Sequence, residues 1–133
     1  MAFVLDASVA AAWMLPDEGN EFADRLILRL HSAPGLVPSL FWFEARNLFM
    51  MAERRRRIAA GEAIMMMARL RRLPLEDAGG GSDLAVLELA RKHRVTPYDA
   101  SYLALALDRN LPLATFDKRL AAIARAKGVV VFG

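Results

Sequence analysis

Phe3-Val4-Leu5-Asp6-Ala7-Ser8, near the start of the chain, decides the fold. Three consecutive apolar residues with no polar alternation read as a strand buried on both faces. The acid that follows stops that run. Ala7 or Ser8 then begins an alanine-rich helix that ends before Pro16. A buried strand handing directly into a helix is the opening unit of a parallel α/β fold.

The same unit recurs. Glu21 to His31 places Phe22, Leu26, Ile27 and Leu30 at helical spacing. Leu36-Val37 is a second strand, stopped by Pro38, and Ser39 is expected to cap a long helix to about Arg57. Gly61 to Arg72 is another helix, and Leu73 to Leu75 a third strand. Ser82 caps a helix to about His93. Thr96-Pro97 starts one more, with Thr as N-cap and Pro at the first helical position, ending near Asn110. Leu113-Ala114-Thr115 is a strand, Asp117 opens a helix to about Lys127, and Val129 to Phe132 closes the chain as a strand. Strands alternating with helices imply a parallel sheet covered on both faces, and such sheets bind ligands at the carboxyl ends of their strands.

The 133 residues are expected to form one domain, residues 1–133, with no repeat and only Ala78-Gly79-Gly80-Gly81 as an obvious loop. The apolar fraction of 56% exceeds the usual range of about 45–50% for soluble chains, which calls for a fully buried sheet or an apolar interface. Met65-Met66-Met67 beside Ile64 reads either as core or as a contact surface for a partner. Cysteine is absent, so disulfides, thiolate metal sites and cysteine nucleophiles are excluded, and a reducing cytoplasm is the expected compartment. No apolar run reaches the ~18 residues needed to span a membrane. Between Arg54 and Arg72 stand seven arginines and one glutamate, so the remainder is net acidic. A basic segment beside an acidic remainder suits phosphate binding on one surface and cation binding on another, although a solvated helix face explains it equally.

Asp6 and Asp117 follow strands, and Asp99 lies in the first turn of the Thr96 helix, so topology brings all three to one sheet edge. Each has a capping role open to it: Asp6 and Asp117 as N-caps, Asp99 within Thr96-x-x-Asp99. Capping does not require them to share an edge. Glu44 lies in a helix apolar on nearly all sides, with Asn47 and Leu48 as its i+3 and i+4 neighbours and no local cation. A buried carboxylate is costly unless paired, coordinated or protonated, so Glu44 either faces solvent or meets a bound cation, and the cation is the better physical account. Clustered acids are relieved by a hard divalent cation, which takes oxygen ligands and leaves positions for phosphate oxygens. Ser8 and Thr115 are placed to hydrogen-bond the acids. His31 and His93 lack pairing partners, and no phosphate loop is present. A receiver domain would want two acids after the first strand and a haloacid-dehalogenase-like phosphatase Asp-x-Asp; this chain has Asp6-Ala7-Ser8. A fold that keeps the acids yet acts only as a partner-binding module stays open.

Val4-Leu5-Asp6-Ala7-Ser8, Glu44 with Asn47, Thr96-Pro97-Tyr98-Asp99-Ala100-Ser101-Tyr102-Leu103-Ala104-Leu105-Ala106, and Leu113-Ala114-Thr115-Phe116-Asp117 together resemble the PIN-domain family, and within it the VapC-type toxins of toxin–antitoxin pairs. The resemblance spans essentially the whole chain. It implies a three-layer α/β/α sandwich with a mostly parallel sheet. It also implies metal-dependent endoribonuclease activity, with Asp6, Glu44, Asp99 and Asp117 binding Mg²⁺ or Mn²⁺. Ser8, Thr115 and Asn47 are supporting polar residues, and Arg54, Arg55, Arg56 and Arg57 are candidate RNA contacts. The partners it implies are RNA, a VapB-type antitoxin whose C-terminal segment covers the active-site groove, and a second copy in a homodimer.

Overall fold

The computed structural model describes residues 1–133. In chain order the elements are β1 (Phe3–Leu5), α1 (Ala7–Met14), α2 (Glu21–Arg29), β2 (Gly35–Val37), α3 (Leu40–Arg54), α4 (Glu62–Arg72), β3 (Leu75–Asp77), α5 (Asp83–His93), α6 (Pro97–Arg109), β4 (Leu113–Ala114), α7 (Lys118–Ala126) and β5 (Val131–Phe132). The five strands form one all-parallel sheet in the order β3-β2-β1-β4-β5. Helices α1 to α4 pack on one another and α5 to α7 on one another, giving the three-layer α/β/α arrangement.

Position in the sheet explains composition. The central strand β1 is wholly buried, so all three of its residues are apolar. The edge strand β3 is Leu75-Glu76-Asp77, and its charges blunt an open edge. Register sets Val4 between Leu36 and Leu113, and Leu5 beside Ala114. Gly35 is required by packing, because a Cβ there would lie 2.7 Å from Leu5 Cδ2 and 2.9 Å from Leu75 Cδ2. Phe41 and Phe49 of α3 and Tyr102 and Leu103 of α6 complete the main core.

Several expected boundaries move. Leu73 ends α4 in extended conformation and the third strand starts only after Pro74, which has no N–H to give the ladder; pairing runs from Leu75 to Asp77. The last strand is only Val131–Phe132, because Val129 N–H still closes onto the Ala124 carbonyl at the end of α7. Ser39 does not cap α3: its hydroxyl donates instead to Asp77 Oδ1 at 2.7 Å, joining α3 to the end of β3. That helix stops at Arg54 rather than Arg57, and Arg56 turns left-handed at φ 59°. The methionine run divides at helical spacing. Met66 and Met67 are core, whereas Ile64 and Met65 are exposed.

Candidate active site

Parallel strands deliver their carboxyl ends to one edge, and the site lies there. Asp6 follows β1, its N–H donating to the Ala114 carbonyl at 3.2 Å, so its backbone is part of the sheet edge. It caps α1, as Oδ1 accepts from Ser8 N–H at 3.0 Å and from Ser8 Oγ at 2.5 Å. Oδ2 accepts from Thr115 Oγ1 at 2.5 Å. The network continues across the sheet: Ser8 Oγ accepts from Phe116 N–H at 2.9 Å, and Thr115 Oγ1 from Asp117 N–H at 3.0 Å. Two hydroxyls thus lock the end of β1 to the end of β4. Asp6 is only 6% exposed. Burial pushes its carboxyl above the usual range, while the Ser8 and Thr115 bonds pull the other way.

Glu44 enters from α3, half-buried, and its Oε1 accepts a hydrogen bond from the Tyr102 hydroxyl of α6. Burial raises the Glu44 carboxyl, the Tyr102 bond opposes that, and the charges of Asp6 and Asp99 raise it further. Tyr102 is 1% exposed, and burial together with the facing carboxylate holds its phenol protonated. Asp99 sits in the first turn of α6. Thr96 caps that helix by accepting from Asp99 N–H at 3.1 Å, but the Asp99 carboxylate returns no bond, so only half of a capping box forms. Burial raises the Asp99 carboxyl first and the Asp117 charge second, with Arg119 acting against both. Asp117 caps α7 through Oδ1, which accepts from Leu120 N–H at 3.0 Å.

All four acids line one open cleft of about 840 Å³, together with Ser8, Asn47, Tyr102 and Glu18. Capping therefore accounts for one oxygen of Asp117 and part of the Asp6 bonding, and for nothing at Glu44 or the Asp99 carboxylate. No lysine, arginine or histidine forms an ion pair with any of the four. The donors are all oxygens, three of the carboxyls are raised by burial and two of those also by each other's neighbours, and a divalent cation relieves both effects. No three of the acids are gathered tightly enough to hold an ion unaided.

Tyr102 belongs to the Thr96–Ala106 motif, but the sequence alone gave it no role at the site. Its signal was available, since it stands three residues after Asp99 on the same helix and so shares a face with it. Glu18 gave no signal. It lines the cleft and pairs with Arg57, whose guanidinium reaches Glu18 Oε2 at 2.6 Å and Asp17 Oδ1 at 2.7 Å. Arg57 is thereby neutralised and leaves the set of free cations, while Arg54, Arg55 and Arg56 stay exposed. His31 and His93 stand outside the cleft.

A family model described as PIN domain matches residues 3–126. The chain is 34% identical over 125 residues to Ribonuclease VapC3 of Pyrobaculum aerophilum, an alignment covering 91% of this chain and 93% of that relative. Among solved structures it is similar to PAE2754 from the same organism, with a TM-score of 0.77 and 23% identity over 99% of this chain and 84% of that one. It is also similar to VapBC2 of Rickettsia felis, solved bound to a DNA fragment from the promoter, with a TM-score of 0.69 and 13% identity over 98% and 97% of the two chains. At these identities the two solved structures speak for the fold alone.

Proposed function

This chain belongs to the PIN-domain family, and from that premise we propose that it is a metal-dependent endoribonuclease, the toxin of a VapBC-type pair. One observation carries the reading: four acids from four separate parts of the chain line a single cleft with no protein cation paired to them. The whole of residues 1–133 serves as one nuclease domain.

Asp6 and Asp99 would hold the ion in this reading, with Glu44 and Asp117 assisting directly or through water. When bound, Mg²⁺ or Mn²⁺ supplies the positive charge that offsets the acids, acidifies a water for attack on an RNA phosphodiester and offsets charge on the departing oxygen. The chain supplies the geometry. Ser8 and Thr115 fix both oxygens of Asp6, so that carboxylate needs no reorganisation. Tyr102 fixes one oxygen of Glu44 and leaves Oε2 without a protein partner. Asp99 keeps both oxygens free of hydrogen bonds from the protein, and Asp117 keeps one. Asn47 lends an amide at the cleft wall. Arg54, Arg55 and Arg56 hold neighbouring phosphates, with an affinity that falls as salt rises.

The likeness to Ribonuclease VapC3, and to a VapBC2 complex in fold, supports a VapB-type antitoxin as protein partner. A C-terminal antitoxin segment over the cleft and a homodimer as the active assembly complete the reading and rest on the family resemblance. No helix is long and apolar enough to cross a membrane, which accords with action in the cytoplasm. The test is cleavage of an oligoribonucleotide by the purified chain, with magnesium or with chelator, beside the variant Asp6→Asn. Activity in magnesium alone, lost in the variant, is expected. A variant as fast as wild type overturns the assignment, and no cleavage by wild type under any ion leaves a partner-binding module instead.

A further inference from the structure

Two large aromatic rings stand in water at the mouth of the acidic cleft: Phe43 is 62% exposed and Tyr98 64%. Each immediately precedes an acid of the site, as Phe43-Glu44 on α3 and as Tyr98-Asp99 on α6. Consecutive helical residues point about 100° apart, so a ring beside such an acid flanks it without covering it. The Tyr102 bond to Glu44 ties the two helices together, so the rings belong to two walls of one cleft. The Arg46 guanidinium lies over the Phe43 ring, 5.1 Å from its centroid.

The cleft is far larger than cation binding requires. At roughly 30 Å³ per water, an ion with a full shell of waters fills about a quarter of its 840 Å³. Much of the remaining wall is apolar, from Leu40, Phe43, Leu48 and Tyr98. An occupant must therefore present an anionic group to the ion held by the acids and flat apolar faces to the rings on either side. A nucleotide chain does both within one repeating unit, because a phosphate is flanked by bases with π-faces. A peptide that joins an apolar side chain to a basic one would meet the rings and the metal-free acids, and the test below separates it from a nucleotide chain.

We propose that Phe43, backed by Arg46, and Tyr98 are base-stacking walls that grip the unpaired nucleotides on either side of the cleaved phosphodiester. This deepens the nuclease reading and rests on it. The rings would then set which segments of RNA enter, since a base held in a duplex cannot offer its face to either ring.

The experiment compares wild type with Phe43→Ala/Tyr98→Ala in binding an oligouridylate and an abasic ribose-phosphate oligomer of the same length, with calcium in place of magnesium. Cleavage of the oligouridylate in magnesium is followed in parallel, and manganese affinity is measured by calorimetry. Stacking on one ring contributes about tenfold. Wild type should prefer the oligouridylate by tenfold or more, and the variant should lose that preference through KM while its manganese affinity stays unchanged. A variant that retains the preference, or a wild type with none, overturns the proposal even where cleavage proceeds, and so does a variant that also loses manganese. Base-dependent binding by wild type without cleavage would uphold the stacking walls and defeat the nuclease reading alone. Unchanged RNA binding with loss of antitoxin binding would make the rings a protein contact, and the proposal would fall.

Discussion

Removing the Tyr102 hydroxyl isolates the side-chain hydrogen bond that joins α3 to α6 at the site. Tyr102→Phe keeps the ring, which is fully buried in the core, and deletes only the donor to Glu44 Oε1. A hydrogen bond to a charged group contributes about 1.5–3 kcal/mol when its partner is left without replacement. Glu44 is half-exposed, so water takes over part of the role, and the lower end, about 1.5 kcal/mol, applies. That is about tenfold in an equilibrium. The Tyr102 bond favours the ionised carboxylate, so its loss lifts a carboxyl that burial has already raised. Two readouts follow. Manganese affinity by calorimetry near neutral pH should fall about tenfold, because a less readily ionised ligand competes worse against its proton. The ascending limb of the pH–rate profile should move to higher pH. A lower melting temperature with unchanged metal affinity and pH profile would show Tyr102 to be packing only, and would refute this reasoning.

Three further outcomes are expected. Thr115→Val keeps the shape at the end of β4 but strips a donor from buried Asp6, so manganese affinity should fall about ten- to hundredfold; affinity equal to wild type would mean Ser8 alone positions that carboxylate. The metal-free protein should lose stability as pH rises above about 4.5. Asp6, Glu44 and Asp99 all bind their protons more tightly folded than unfolded, so their contribution is full below the ordinary values of 3.8 to 4.5 and is lost as pH climbs through the raised folded ones. Asp17 and Asp77 are held low and act oppositely, but their window lies below 3.8, outside this range. Thermal melts should show the decline, and manganese should reverse it at the upper end; a flat profile contradicts the burial argument. Charge reversal by Arg54→Glu with Arg55→Glu should weaken oligoribonucleotide binding and flatten its salt dependence, and an unchanged slope would mark that run as a solvated face.

Local signals carried much of the architecture. Phe3-Val4-Leu5 announces a central strand because only a strand covered on both faces is apolar without alternation. Thr96-Pro97 and Ser82 announce helix starts, and both hydroxyls do cap. Asp6 and Asp117 were traceable to the site edge because parallel topology sends the ends of β1 and β4 there together. The missing parts are those fixed by partners distant in sequence. Ser39 resembles a cap until β3 brings Asp77 within reach, and Arg57 resembles a free cation until the α1–α2 connection presents Asp17 and Glu18. Glu44 was conspicuous as a carboxylate among apolar residues, but its donor lies on α6, and only the assembled fold brings Tyr102 to it. Strand order likewise depends on how the layers pack, which no short segment encodes.

The central claim is that these carboxylates form one cation site, and calorimetric titration of the metal-free protein with manganese tests it most directly. Wild type should bind the ion saturably near neutral pH, releasing protons as it does so, and Asp6→Asn combined with Asp99→Asn should abolish that heat while the variant remains folded. Binding of equal strength in the double variant, or none in wild type, would contradict the account.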